Sequence, residues 1–195
     1  MDRLLRNMNA ANMVTMARML LIPVIVVFLV VEIPYGNIVA VLVFILAAST
    51  DKLDGYLARS RNSVTTFGQF MDPLADKLLI AAPLIALVGM ERLPAWVAMV
   101  IIAREFAVSA LRIIALAQGV SIPADRYGKI KTVFQIAAVI ALMLPRDLFS
   151  GWMATAELVI EVALVAVAVV LTVVSGINYF WKARDVLRLP GTASR

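Results

Sequence analysis

Six long apolar segments restrict what this chain can fold into more than any other feature of its sequence. They are, in chain order, Val14–Val31, Ile38–Thr50, Pro73–Val88, Pro94–Gln118, Thr132–Leu144 and Trp152–Trp181. Hydrophobic residues make up 63% of the chain, whereas ordinary globular domains are about 45–50% apolar. Because about 20 helical residues cross a bilayer, the sequence predicts an all-α integral membrane protein with six transmembrane helices. We expect one domain over residues 1–195, including a juxtamembrane segment at 1–12 and a C-terminal tail at 182–195.

Three of the apolar segments are shorter than a bilayer requires, so the predicted helices must continue into polar neighbours. The second helix reaches spanning length if it covers Ile38–Arg59. The third reaches it if it begins near Thr65 and passes through Pro73. Polar side chains at membrane depth must face protein or a water-filled cavity. The sequence therefore predicts a polar cavity near one membrane surface.

Lysines and arginines are distributed unevenly between the predicted turns. Of the 18 in the chain, only Arg92 and Arg146 fall in the turns after the third and fifth helices. The positive-inside rule then predicts that both termini and the polar cavity face the cytoplasm. The net charge of +5 suits contact with an anionic lipid leaflet. Nucleic acid is not an expected partner, because no basic face carries interleaved aromatic residues.

The absence of histidine and cysteine excludes several kinds of chemistry. The chain cannot form disulfides or zinc sites built on thiolate or imidazole. It also cannot use a Ser-His or Cys-His nucleophile. Any metal must be held by oxygen ligands. Any general base must be a carboxylate, a lysine or a tyrosine.

Two acidic clusters interrupt the apolar pattern on the predicted cytoplasmic side. Residues three, four and seven apart share a helix face, so each cluster forms one stripe. The stripes are Asp51, Asp54, Gly55 and Ala58 on the second helix, and Gly68, Asp72 and Asp76 on the third. Four facing carboxylates cannot all stay ionised unless cations neutralise them. Because magnesium prefers oxygen ligands, the pattern predicts a site for one or two divalent cations that serves phosphoryl chemistry.

The spacing of these residues resembles the signature of the CDP-alcohol phosphotransferase family. Asp-x-x-Asp-Gly-x-x-Ala-Arg begins at Asp51, and Gly-x-x-x-Asp-x-x-x-Asp begins at Gly68. The resemblance implies a metal-dependent enzyme with two Mg²⁺ or Mn²⁺ ions, in which Asp76 also deprotonates the acceptor hydroxyl. The metal ligands that it implies are Asp51, Asp54, Asp72 and Asp76. The CDP-binding residues that it implies are Gly55, Ala58, Arg59 and Gly68.

Further patterns resemble the bacterial phosphatidylglycerophosphate synthases, a branch of this family. They are Asn12-x-x-Thr15-x-x-Arg18, Arg104-Glu105, Ser109-x-x-Arg112 and Gly128-Lys129-x-Lys131-Thr132-x-x-Gln135. This resemblance implies transfer of a phosphatidyl group from CDP-diacylglycerol to sn-glycerol 3-phosphate, with release of CMP. It also implies a homodimer in the bacterial inner membrane. Inositol phosphate or phosphatidylglycerol as the acceptor remains the alternative within the family.

Basic residues of the fourth and fifth predicted helices indicate where a phosphorylated acceptor binds. Arg104 and Arg112 are eight residues apart on roughly one side of the fourth helix. Lys129 and Lys131 begin the fifth. An arginine at membrane depth needs a partner or an anionic ligand, so we expect these four residues to bind the acceptor phosphate. In the rival interpretations, Arg104 and Arg112 pair with Glu105 or with lipid headgroups, and Lys129 and Lys131 are interfacial anchors.

Two functions other than catalysis fit parts of the pattern. Intramembrane acidic residues also mark ion pathways, but a cation transporter should carry them through the bilayer depth rather than on one side. A membrane scaffold would leave the carboxylate stripes without a purpose. Asn12, Thr15 and Arg18 fit an amphipathic entry turn as well as they fit a functional site.

Overall fold

The computed structural model is entirely helical over the residues that it describes. These are residues 10–60, 66–117, 126–146, 148 and 150–187, with side chains described over 13–50, 71–116, 128, 130–146, 148 and 150–184. The helices are α1 (Ala10–Val30), α2 (Gly36–Ser60), α3 (Thr66–Gly89), α4 (Ala95–Ala117), α5 (Arg126–Met143) and α6 (Trp152–Leu187). The all-α prediction is confirmed for these ranges.

Both predicted helix extensions are present. Helix α2 continues through the first acidic cluster to Ser60. Helix α3 begins at Thr66 and runs through Pro73 and Pro83 without a break. A proline inside a helix removes one backbone hydrogen bond. The apolar pattern nevertheless continues on both sides of Pro73, and the segment forms a single helix. The second acidic cluster therefore lies inside α3 and not in a loop before it.

The outer surface of the bundle is strongly apolar. Residues Met13–Val30 of α1 and Trp152–Arg184 of α6 are long and apolar enough to cross a membrane. The apolar stretches Gly36–Thr50 of α2 and Ile130–Met143 of α5 are shorter. Large side chains such as Leu20 and Ile113 are about 70% exposed, a surface that suits lipid and not water.

One end of the bundle contains the apolar core. It is built from the end of α1, the beginning of α2, the end of α3, the beginning of α4 and the end of α5. Ile25, Phe44, Leu87 and Met143 are fully buried there. Because consecutive helices run in opposite directions, these segments meet at the same end. The opposite end is left for the polar residues.

An ion cluster closes the apolar end of the bundle. Arg92 follows α3, and its Nη1 donates a hydrogen bond to the Leu144 carbonyl oxygen at 2.6 Å. Arg92 Nη2 and Arg146 Nη2 each lie 3.9 Å from a carboxylate oxygen of Glu161, which is buried in α6. Burial lowers the pKa of Arg92, and the Glu161 carboxylate opposes that shift. The cluster therefore ties the turn after α3 to the end of α5 and to α6.

We expect Glu161→Ala to lower the free energy of unfolding by about 3 kcal/mol, because it removes the nearest counter-charge of buried Arg92. Thermal unfolding in detergent measures the effect. Glu32→Ala is the matched control, since Glu32 is an exposed carboxylate in the turn after α1. Equal stability of the two variants would contradict the role of the cluster.

Candidate active site

A polar cavity of about 500 Å³ lies between helices α3, α4, α5 and α6, at the end opposite the apolar core. Its polar and charged lining residues are Asp72, Asp76, Lys77, Arg104, Glu105, Ser109, Arg112, Lys131, Thr132, Gln135 and Tyr179. The predicted polar cavity is present, and it is built from the segments that the charge pattern singled out.

The α3 wall of the cavity carries two carboxylates that α1 holds in place. Thr15 Oγ1 donates a hydrogen bond to Asp72 Oδ1 at 2.5 Å. Arg18 Nη1 donates to Asp76 Oδ1 at 2.6 Å, forming a salt bridge. Thr15 and Arg18 are each 2% exposed, whereas the Asp76 side chain is 47% exposed. The carboxylate of Asp76 is therefore oriented from behind and remains accessible from the cavity.

The facing wall is organised around Glu105 of α4. Lys131 of α5 donates a hydrogen bond to Glu105 Oε1. Arg104 Nη1 donates to the same oxygen at 3.2 Å. Lys131 is almost fully buried, at 2% exposure, and a buried ammonium requires such a partner. Glu105 thus joins α4 to α5 and shares its one negative charge between two cations.

Helix α6 completes the cavity beside Arg104. A Cβ atom at Gly176 would lie 3.2 Å from Cγ of Arg104, closer than side-chain packing normally allows. The glycine therefore leaves room for the arginine stem to pass along α6 towards the cavity. Among the described residues, Arg104 Nε is buried without a hydrogen-bond partner, so the guanidinium is only partly satisfied by Glu105.

The floor of the cavity is a buried polar pair between α5 and α6. Gln135 Nε2 donates a hydrogen bond to Thr172 Oγ1 at 3.2 Å. Thr172 in turn donates to the Ala168 carbonyl oxygen at 2.6 Å. Gln135 and Thr172 are almost fully buried. The pair separates the charged cavity from the apolar core below it.

The structure brings together five of the residues predicted to bind metal or the acceptor phosphate. Asp72 and Asp76 lie on the α3 wall, and Arg104, Arg112 and Lys131 lie on the facing walls. The rival interpretation of Arg104 also holds, because it pairs with Glu105 while lining the cavity.

The remaining predicted site residues lie where side chains are not described. Gly55 and Gly68 are in the helical backbones of α2 and α3. The side chains of Asp51, Asp54, Ala58, Arg59 and Lys129 lie outside the described residues. Among described side chains no group of three carboxylates occurs, since only two of the four predicted ligands are included. Asp72 and Asp76 offer oxygen ligands alone, a donor set that fits Mg²⁺ or Mn²⁺.

Sequence reasoning missed several residues of the site. The sequence leaves the role of Thr15 and Arg18 open; polar residues three apart in an otherwise apolar helix are the signal that could assign it. The sequence predicts Glu105 as part of the Arg104-Glu105 pattern and as a rival partner for Arg104, but not as the residue that joins α4 to α5. Tyr179 had no sequence signal, because an aromatic residue near the end of an apolar helix is ordinary.

The apolar helices enclose a cavity that has carboxylates on one wall and partly paired cations on the other. This arrangement defines a helical membrane protein with a charged internal site. A family model described as CDP-alcohol phosphatidyltransferase matches residues 8–174. The chain belongs to the CDP-alcohol phosphatidyltransferase family.

Several relatives are similar over nearly the whole chain. A CDP-diacylglycerol–glycerol-3-phosphate 3-phosphatidyltransferase of Bacillus subtilis is 43% identical, over 92% of this chain and 97% of the relative. A protein of the same name from Rickettsia felis is 37% identical, over 88% and 93%. A probable phosphatidylglycerophosphate synthase of Mycobacterium tuberculosis (strain ATCC 25618 / H37Rv) is 39% identical, over 95% and 87%.

We expect Thr15→Val to lower the free energy of unfolding by about 1.5 kcal/mol, because it removes a hydrogen bond to the Asp72 carboxylate. Thr15→Ser keeps the donor but deletes a buried methyl group, which costs about 1 kcal/mol through lost packing, so it should keep the contact with Asp72 while losing some stability. Thermal unfolding in detergent compares both variants with the unmodified protein. If the valine variant, which preserves the side-chain volume, is as stable as the unmodified protein, the α1–α3 hydrogen bond contributes nothing.

Proposed function

We propose that this protein transfers the phosphatidyl group of CDP-diacylglycerol to sn-glycerol 3-phosphate and releases CMP. The observation that carries the proposal is a single cavity in which oriented carboxylates face a cationic wall. Relatives that carry the name of this activity, at 37–43% identity over most of the chain, support the choice of both substrates.

The charge of the cationic wall suits a phosphate dianion. Arg104, Arg112 and Lys131 contribute three positive charges, and Glu105 removes one. The remaining two positive charges balance a phosphate monoester, which carries about −1.5 to −2 at neutral pH. An acceptor without a phosphate group would leave those cations uncompensated at membrane depth, at a substantial cost in free energy.

Asp76 is the proposed general base. Its carboxylate takes the proton of the acceptor's primary hydroxyl, and that oxygen attacks the phosphorus that carries the diacylglycerol group. A new oxygen–phosphorus bond forms, the pyrophosphate bond breaks, and CMP leaves with the bonding electrons. Arg18 holds Asp76 from behind, which fixes the position of the carboxylate. General-base catalysis of this kind contributes typically about 10²–10⁴-fold.

The proposed cofactor is a pair of Mg²⁺ or Mn²⁺ ions held by Asp51, Asp54, Asp72 and Asp76. Bound there, the ions would supply charge stabilisation to the phosphoryl oxygens. Thr15 restrains the Asp72 carboxylate, so part of the ligand set is oriented by α1. The residues proposed along the CDP moiety are Gly55, Ala58, Arg59 and Gly68.

Release of CMP from CDP-diacylglycerol by the detergent-solubilised protein tests this function. We expect release with sn-glycerol 3-phosphate, none with serine, and loss of activity on chelation of divalent cations. An acceptor panel that includes inositol phosphate and phosphatidylglycerol decides between acceptors. A preference for one of those two would overturn the acceptor assignment, and no release with any acceptor would overturn the function.

Asp76→Asn should lower kcat by about 100-fold or more, because the amide cannot take the proton. Glu32→Gln makes the same chemical change at an exposed turn residue and should leave kcat within about twofold. The rate of CMP release at saturating substrates compares the two variants. A kcat for the asparagine variant near that of the control would exclude Asp76 as the base.

The proposed topology has six membrane spans, with both termini on the cytoplasmic side and the cavity open to that side. The proposed location is the bacterial inner membrane, where the chain forms a homodimer. The uneven distribution of lysine and arginine supports this orientation. The cavity lies at the end of the bundle that contains the basic residues of α4 and α5. The apolar core lies at the other end, with Arg92 and Arg146.

The absence of cysteine allows a direct test of the orientation. We expect a membrane-impermeant thiol reagent to label Tyr35→Cys, in the turn after α1, from outside intact spheroplasts. Lys182→Cys, near the end of α6, should be labelled only after the membrane is opened. The reverse pattern of labelling would overturn the proposed orientation.

A further inference from the structure

Tyr179 of α6 has a buried hydroxyl group that its surroundings leave unpaired. The residue is 3% exposed and contributes to the wall of the polar cavity. Within the part of the chain that the structure describes, its hydroxyl oxygen has no hydrogen-bond partner. Buried polar groups are paired in the large majority of cases, and an unpaired one costs free energy. The hydroxyl therefore needs an explanation.

Packing explains the ring of Tyr179 but not its hydroxyl. The ring belongs to a small apolar cluster with Val108 and Leu111 of α4 and Ala183 of α6. A phenylalanine would fill the same space without burying a polar atom. These packing contacts therefore give the hydroxyl group no role in stabilising the fold.

The position of Tyr179 connects it to the cationic wall. Arg104, Val108 and Leu111 follow one another at helical spacing on α4, so the tyrosine packs on the face that carries Arg104. One turn before Tyr179, Gly176 lies against the stem of the same arginine. Arg104 Nε is also buried without a partner among the described residues. Two residues that line the cavity from neighbouring helices therefore each carry a buried, unsatisfied donor among the described residues.

We propose that the Tyr179 hydroxyl donates a hydrogen bond to the phosphate group of the acceptor and is a specificity-determining residue for that substrate. The proposal rests on the proposed function. A phosphate oxygen offers lone pairs to a donor, and the phenol adds a directed hydrogen bond without adding charge to the cationic wall. A site built to hydrogen-bond its substrate rejects an analogue that leaves the donor unpaired.

The place of Tyr179 in the cavity fits a role in acceptor recognition. The motif that resembles the CDP site lies in α2 and α3, whereas Tyr179 lies on α6, which packs beside Arg104 of the cationic wall. A contact made there fits the acceptor phosphate that this wall is proposed to bind.

Tyr179→Phe tests the proposal, with Tyr35→Phe as the matched control. Tyr35 is 79% exposed in the turn after α1. We expect Tyr179→Phe to raise KM for sn-glycerol 3-phosphate about tenfold to a hundredfold, the size of a hydrogen bond to a charged group. KM for CDP-diacylglycerol should stay within twofold, and the control should match the unmodified protein in both. Thermal stability should be equal or higher, since an unpaired buried hydroxyl is removed.

Binding of inorganic phosphate gives a second measurement that does not depend on turnover. Calorimetric titration of phosphate into the unmodified protein and Tyr179→Phe should show weaker binding to the variant by a similar factor. If the unmodified protein releases no CMP with any acceptor, the proposed function fails, and the titration still decides the contact with phosphate. Equal phosphate affinity of the two proteins would overturn the inference. A loss of thermal stability, or a rise in KM for both substrates, would assign Tyr179 a structural role and overturn it as well.

Discussion

A charged side chain inside an apolar helical bundle must have a partner, and this requirement organises the whole site. Arg18 can be buried because it forms an ion pair with Asp76, and Lys131 can be buried because it forms an ion pair with Glu105. Each pair joins two helices, α1 to α3 and α4 to α5. The same contacts that neutralise the charges therefore set the positions of the cavity walls. Replacing one residue of such a pair destabilises the fold strongly, because the remaining charge stays buried without a counter-charge.

The division of the bundle into two ends follows from the alternating direction of its helices. Apolar residues at the end of one helix and at the beginning of the next meet in one core. The polar parts of α1, α3, α4, α5 and α6 then meet at the opposite end, where helix packing leaves a cavity. The proposed reaction uses this division, because an apolar surface suits the acyl chains while the charged cavity suits the phosphates. The buried Gln135–Thr172 pair marks the boundary between the apolar core and the charged cavity.

Most of the α3 wall could be predicted from sequence, because its residues are related by local helical spacing. Asp72 and Asp76 are one turn apart, and the helix continues through Pro73 as expected. The facing wall could be predicted only as a set of basic residues. Which cation pairs with Glu105 depends on how α5 approaches α4, and no local spacing contains that information. Tyr179 was missed for the same reason, since nothing in the sequence near it separates a cavity residue from an interfacial one.

The sequence by itself determined the helical class, the chemistry open to a chain without histidine or cysteine, and the carboxylate stripes. These properties depend on composition and on short-range periodicity, which a single helix already expresses. Only the tertiary structure decided that Thr15 and Arg18 hold the α3 carboxylates, that Glu105 divides its charge between two cations, and that the Tyr179 hydroxyl is left unpaired at the cavity wall. The physical reason is that a buried polar group is satisfied by whichever residue the packing of distant helices brings within hydrogen-bond distance.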